Sequence, residues 1–220
     1  MTETTELAEF RAREKLPDLR FRALLGGAAW SRLPPAVRQR FGRRLEAGAS
    51  VTYAGEIVES RRTRFGSLLA QLGRLIGGPL PLHDDVAVPA VVTVTEDGSV
   101  GGQVWTRMYG RVRGFPQVIH SSKRFAGPTG LEEYLGCGFG LSLIVTADEL
   151  GLHFRSDHYF IALGGVRLRL PKWLGPGALT ISHIERRDGW FAFVLSLRHP
   201  AFGEVIRQTG LFRERREGER

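Results

Sequence analysis

Two segments in the first half of the chain place apolar residues at helical spacing. Leu33, Val37 and Phe41 recur at every fourth position, next to two prolines that suit a first helical turn. This pattern predicts an amphipathic helix over about 33–46. A second helix is predicted over about 63–76, where a Gly-Gly-Pro sequence ends the periodic run.

The second predicted helix carries large apolar residues on most of its circumference, namely Phe65, Leu68, Leu69, Leu72, Leu75 and Ile76. We interpret it as a core element that fills the concave side of a sheet or plugs one end of a barrel. Leu69→Asp or Leu72→Asp should then unfold the domain, because each buried leucine contributes about 1.5–3 kcal/mol. The alternative is a helix in a membrane interface, over 61–76, with its four arginines at the lipid head groups.

Most of the remaining chain predicts strands. A strand is expected over 50–59, and from residue 88 to 213 alternating apolar positions recur between turn signals, including a tight hairpin at Asp188-Gly189. Only 131–135 is interpreted as a short helical turn. The sequence therefore predicts an α+β fold, in which two helices pack on a strongly curved antiparallel meander that is either open or closed into a barrel.

The domain organisation follows from these elements. Residues 1–30 are an N-terminal segment, expected to be partly ordered or helical. Residues 31–213 form a single α+β domain, and residues 214–220 a charged tail. No apolar run reaches the ~18 residues of a membrane-spanning helix, and the polar start lacks the features of a secretory signal. We expect a cytoplasmic protein, with peripheral association at the inner membrane face as the alternative.

The charge balance is strongly basic, with a formal net charge of +8 and a sequence pI of about 10.5. This balance is typical of proteins that bind nucleic acid or an anionic membrane, and equally of arginine-rich solvated faces. No zinc finger, KH-type loop or aromatic RNA-binding stretch is present in the sequence, so nucleic acid is not an expected partner.

The order of several short motifs resembles the bacterial domain of unknown function numbered 4166. These are Leu33-Pro34-Pro35-Ala36-Val37-Arg38, the helix at 64–76, Val104-Trp105-Thr106-Arg107-Met108-Tyr109-Gly110, Leu170-Pro171-Lys172-Trp173-Leu174-Gly175-Pro176 and Leu197-Arg198-His199-Pro200-Ala201-Phe202-Gly203. The resemblance implies this architecture, and a stand-alone protein or a partner of a Rossmann-type oxidoreductase. Gln103 stands where the resemblance leads us to expect an acidic residue.

Familiar catalytic and cofactor motifs do not fit the chain. The glycines around Cys137 depart from dinucleotide-binding spacing and precede a strand rather than a helix. Cys137 has no adjacent base in sequence, and His153 and His158 fall on opposite faces of one strand. We therefore expect no catalytic residues, no metal site and no cofactor.

Five residues form the candidate ligand-binding site. Trp105, Arg107 and Tyr109 share one face of a strand, and Arg155 and Tyr159 share one face of another. Inside a curved sheet the aromatic rings would supply contact area, while arginine would hold a carboxylate or phosphate. The alternative is that these faces lie outside, with arginine stems covering the rings.

The leading hypothesis is a non-catalytic binding domain for an apolar, acidic small molecule such as a lipid or fatty acyl species. An interaction or scaffold module that docks onto an oxidoreductase is the second hypothesis. A peripheral membrane protein is the third.

Overall fold

The computed structural model describes residues 17–46 and 48–215. The first sixteen residues of the N-terminal segment and the last five of the charged tail lie outside this description. Four helices are present in the described residues: α1 (Arg20–Leu25), α2 (Gly27–Arg32), α3 (Pro35–Phe41) and α4 (Arg64–Gly73). A 3-10 turn, Arg74–Ile76, continues α4, and another covers Lys172–Leu174.

Eleven antiparallel strands build the sheet: β1 (Ser50–Arg62), β2 (Val88–Asp97), β3 (Gly102–Tyr109), β4 (Gln117–Arg124), β5 (Glu132–Gly136), β6 (Phe139–Ala147), β7 (Gly151–Leu163), β8 (Val166–Arg169), β9 (Ala178–Glu185), β10 (Trp190–His199) and β11 (Gly203–Glu214). Their order is β6-β5-β4-β3-β2-β1-β11-β10-β9-β7-β8, and β6 also pairs with β7. Ten strands, β1 to β7 and β9 to β11, thus close into a barrel, and β8 pairs with the C-terminal end of β7 outside this ring. The predicted α+β class with a curved antiparallel sheet is confirmed.

The segment 131–135 is a strand and not the predicted helical turn. Residues of β5 pair with β4 through Glu133 and Lys123, and with β6 through Glu133 and Leu141. Pairing on both sides satisfies the backbone of this short segment, which tertiary context therefore forces into the sheet.

Alternation along β3 directs one set of side chains into the barrel. Trp105, Arg107 and Tyr109 are buried, whereas Met108 is exposed on the outer face. The face that the sequence singled out is therefore the inner one.

Strand β7 contains a β-bulge that reverses its alternation. Ser142 pairs with His158 but Leu143 pairs with Ser156, so Asp157 is an extra residue on β7. Phe154, before the bulge, faces the barrel core, and so does Tyr159 after it.

Helices α1 to α3 plug one end of the barrel. Phe21 is fully buried (0% exposed), and its ring lies 5.1 Å from that of Phe41 and 6.0 Å from that of Phe154. Arg20 forms ion pairs with Asp18 at 2.7 Å and with Glu96 on β2 at 2.8 Å. Described residues before position 31, above all Phe21, are consequently part of the core of the domain.

Helix α4 crosses the opposite end and is held there by close backbone contacts. Thr63 N–H donates to the carbonyl oxygen of Val205, and a Cβ atom at Gly66 would lie 2.1 Å from that oxygen. Beyond the helix, a Cβ atom at Gly77 would lie 2.6 Å from the carbonyl oxygen of Leu135. The glycines allow the helix to span the barrel end from β11 to the β5–β6 turn.

The predicted burial of the apolar residues at 63–76 is only partly right. Phe65 and Leu69 pack against the core and are partly buried, whereas Leu72 is 54% exposed and Leu75 is 77% exposed. The buried positions of α4 are small, Gly66, Ala70 and Gly73, and Gly66 lies against the backbone of β11.

Substitutions on the two sides of α4 should differ sharply. Gly66→Leu should lower the free energy of unfolding by about 3 kcal/mol, since its side chain has to displace barrel backbone. Leu72→Asp should change it by less than about 1 kcal/mol, since surface positions tolerate polar residues. Urea denaturation followed by tryptophan fluorescence measures both, and a larger loss for Leu72→Asp would refute this placement of the helix.

Candidate functional site

A cavity of about 570 Å³ lies inside the barrel beneath helix α4. Helix α4 and the segment after it form one wall, and the segment at 170–176 forms another. Deeper walls come from apolar side chains of β9 and β10, among them Ile181 and Leu195. Exposed Leu72, Leu75 and Leu174 border the same cavity, so it opens to solvent between α4 and the segment at 170–176.

The floor of this cavity is charged. Glu133 lies 2.9 Å from the Nζ atom of Lys123 and 3.6 Å from a terminal nitrogen of Arg107. Arg107 also donates a hydrogen bond to Ser121 Oγ at 2.6 Å. All four side chains are buried. Two basic groups and one acid therefore meet inside the barrel.

Burial and mutual attraction act against each other in this cluster. Burial alone would raise the pKa of Glu133, but the charges of Lys123 and Arg107 outweigh it and lower that pKa. Burial lowers the pKa of Lys123, and the attraction of Glu133 offsets only part of this. Glu133 is accordingly ionised at neutral pH.

Arg107 retains donor capacity that the cluster does not use. Among the described residues, no hydrogen-bond acceptor contacts its buried Nε atom. Since Lys123 lies closer to Glu133 than Arg107 does, and since arginine stays charged in proteins, Arg107 is the group best placed to meet an anion entering the cavity.

The structure brings two of the five predicted residues to the large cavity. Arg107 lies on its floor, and Tyr159 lies on its wall and donates a hydrogen bond to the carbonyl oxygen of Gly177 at 3.0 Å. Trp105 borders a separate cavity of about 30 Å³ on the plug side. Tyr109 borders another of about 10 Å³.

Arg155 does not belong to this site. Its side chain is exposed, and its neighbour Phe154 points into the core. The bulge at Asp157 is the reason: Arg155 and Tyr159 would share a face of a regular strand, but the extra residue between them places them on opposite faces.

Glu133 and Lys123 are residues of the candidate site that the sequence analysis missed. Glu133 lies in the segment 131–135, which the sequence analysis interpreted as a helical turn. A helical turn does not direct alternate side chains to opposite faces, as the observed strand does. Lys123 lies on β4, where Ile119, Ser121 and Lys123 are buried at every second position. That alternation was the available signal for Lys123, although nothing in the sequence paired it with Glu133.

A ring of aromatic side chains surrounds His183 between the cavity floor and the plug. Its ring lies 5.1 Å from those of Phe41 and Phe193, and its Nδ1 atom has no hydrogen-bond partner among the described residues. Burial, followed by the positive charges of nearby Arg40, Lys123 and Arg107, lowers the pKa of His183 well below its ordinary value. The imidazole is therefore neutral in the folded protein.

Three further observations bear on the chemistry of the chain. In the described residues no three His, Cys, Asp or Glu side chains are grouped as metal ligands. None of the described helices has the length and apolar character needed to cross a membrane. Cys137 is exposed at the cavity border, with a φ of 49° between two glycines.

The fold and the cavity define a plugged, ten-stranded antiparallel β-barrel with an apolar interior and a charged floor. The profile of the family described as Domain of unknown function (DUF4166) matches residues 33–212, and the chain belongs to this family. The family resemblance noted in the sequence is thus confirmed. No curated protein and no solved structure shows significant similarity to the chain.

Substitutions of Glu133 and Lys123 should lower the free energy of unfolding by different amounts. Glu133→Gln leaves Arg107 and Lys123 buried without a counter-charge, and it should lower the free energy of unfolding by about 3 kcal/mol. Lys123→Met keeps one cation opposite Glu133 and should cost less than half as much. Equal losses of unfolding free energy for the two variants, measured by urea denaturation at pH 7, would contradict the assignment of Glu133 as the shared counter-charge of both cations.

The neutral state of His183 should make the protein less stable in acid. The unfolded chain binds a proton at His183 near pH 6.5, whereas the folded protein does not, so the free energy of unfolding falls as the pH drops below about 6.5. The loss approaches about 1.4 kcal/mol per pH unit for one group. His183→Phe should remove this part of the slope between about pH 6.5 and 5.5, and identical slopes in the two proteins would refute the assignment.

Proposed function

We propose that this protein binds an apolar small molecule with an anionic head group, such as a fatty acid, in the barrel cavity. The observation that carries the proposal is the position of Arg107, a buried cation with an unpaired Nε atom on the floor of a cavity with otherwise largely apolar walls.

The cavity has the size and lining of a small-molecule site. Ligand pockets typically measure ~300–1,000 Å³ and combine apolar walls with a few polar groups. At about 570 Å³ the cavity falls in this range, with Arg107, Glu133 and Tyr159 as its polar and charged side chains. An extended acyl chain would gain ~0.8 kcal/mol for each methylene group that leaves water.

The head group would lie at the floor rather than at the mouth. Arg107 can donate paired hydrogen bonds to a carboxylate, and burial strengthens such charge-assisted bonds. Glu133 would repel the carboxylate of the ligand. However, the Nζ atom of Lys123 lies 2.9 Å from Glu133 and offsets the negative charge of Glu133. The acyl chain would then extend past Leu195 toward the leucines of α4.

Native mass spectrometry of the freshly purified protein, followed by titration with a fluorescent long-chain fatty acid, tests the proposal. We expect a co-purified or added acid to bind with one-to-one stoichiometry, and more tightly than the alcohol of the same chain length. Arg107→Met should weaken binding of the acid by at least about tenfold, the loss of one charge-assisted contact, and leave binding of the alcohol unchanged.

A matched control is Arg155→Met, which removes an arginine from the outer face and should leave both affinities unchanged. Binding of neither ligand by a folded wild-type protein would refute the proposal. Equal affinity for acid and alcohol would refute the role of Arg107.

A further inference from the structure

Exposed apolar residues surround the opening of the cavity. We call the mouth rim the set formed by Leu68 and Leu72 of α4, Leu75 of the 3-10 turn that continues it, and Trp173 and Leu174 of the second 3-10 turn. Trp173 is 78% exposed, and Leu72, Leu75 and Leu174 border the cavity as well as solvent. The apolar interior thus continues without interruption onto the outer surface.

The same end of the barrel carries another exposed apolar loop. This loop connects Tyr109, the last residue of β3, to the start of β4. Its Phe115 is 92% exposed. Isolated apolar residues on a surface are ordinary, but large contiguous groups mark interaction sites.

The two segments that contain the mouth rim carry only basic charged residues. Segments 61–80 and 158–178, which contain the mouth rim, include six arginines and one lysine and no aspartate or glutamate. Four of the arginines form ion pairs with acidic residues outside these segments, namely Arg61 with Glu59, Arg62 with Asp84, Arg167 with Glu132 and Arg169 with Asp157. Arg64 and Lys172 are exposed, and within the described chain no acidic side chain lies at ion-pair distance from either.

The plug end of the barrel also carries arginines, but there they are mixed with acidic residues. Its hairpin loops contain acidic residues, including Asp148, Glu149 and Asp188. The described chain also begins and ends there, since Pro17 bridges to Arg43 and Arg215 N–H donates to the carbonyl oxygen of Thr52. The large apolar cavity bordered by exposed leucines is therefore what distinguishes the mouth end.

We propose that the mouth rim docks onto the surface of an anionic lipid bilayer, so that the cavity opens toward the lipid. Leucine and tryptophan side chains would enter the interfacial region, and Arg64, Arg74 and Lys172 would meet anionic head groups. The exchange of a bound acid with the bilayer rests on the function proposed above, but the docking itself does not.

Liposome flotation of the full-length protein tests the docking. Vesicles of phosphatidylcholine are compared with vesicles that also contain phosphatidylglycerol. We expect flotation mainly with the anionic vesicles and its reduction at about 0.5 M NaCl, where the screening length is only a few ångströms. The double variant L72S/L75S should weaken partitioning by about tenfold, the effect of withdrawing at least one leucine from lipid. Lys172→Gln should weaken it by about fivefold.

Matched controls lie at the plug end. Leu150 is 63% exposed in the β6–β7 connection, and Arg187 is exposed in the β9–β10 hairpin. Leu150→Ser and Arg187→Gln should leave flotation unchanged. Each variant is first shown by circular dichroism to melt as the wild type does.

Two outcomes would overturn the docking proposal: no flotation of the wild type with either vesicle, or equal losses in the mouth-rim and plug-end variants. Arg107→Met separates this proposal from the previous one, because it should lose the fatty acid and still float. Flotation by a wild-type protein that binds no fatty acid would refute the cavity ligand and leave the docking supported.

Discussion

The hydrogen-bonded pairing of β6 with β7 is the constraint on which the rest of the structure depends. Without it the sheet would be an open meander with two free edges, and the inner face would be accessible to water. With it the ten strands enclose a space in which Arg107, Lys123 and Glu133 have to satisfy one another or a ligand. The closure also gives the chain two distinct ends, one plugged by helices and the other crossed by α4.

Local patterns were sufficient for most of the strands and for the curvature of the sheet. Turn residues marked the hairpins, and alternation on β3 correctly grouped Trp105, Arg107 and Tyr109 on one face. Closure was not predictable in the same way, because it depends on contacts between strands whose register no local pattern specifies. The burial of Leu72 and Leu75 was wrongly predicted for a related reason: periodicity defines the faces of a helix, but the buried positions of α4 are the small residues Gly66, Ala70 and Gly73.

The candidate site was only partly visible in the sequence. Arg107 and Tyr159 reach the large cavity, whereas Trp105 and Tyr109 occupy other levels of the barrel interior, because successive inward residues on one strand lie about two residue rises apart along it. Glu133 comes from a short strand whose pattern resembled a helical turn. Its proximity to Lys123 follows from the pairing of β4 with β5, which only the fold reveals.

The extra residue in β7 makes the shape of the cavity depend on a single position. Beyond Asp157, Tyr159 faces inward, while Phe160 is buried on the outer face, where its ring lies 5.5 Å from that of Tyr134. Deleting Asp157 would remove the extra residue but keep Tyr159 opposite Leu141, so the phenol would stay on the wall with its hydrogen bond to Gly177. If β7 instead kept Asp157 and paired without the bulge, every later residue would shift by one position relative to β6, and the phenyl ring of Phe160 would face inward in place of the phenol. The bulge therefore decides which of two neighbouring rings lines the cavity.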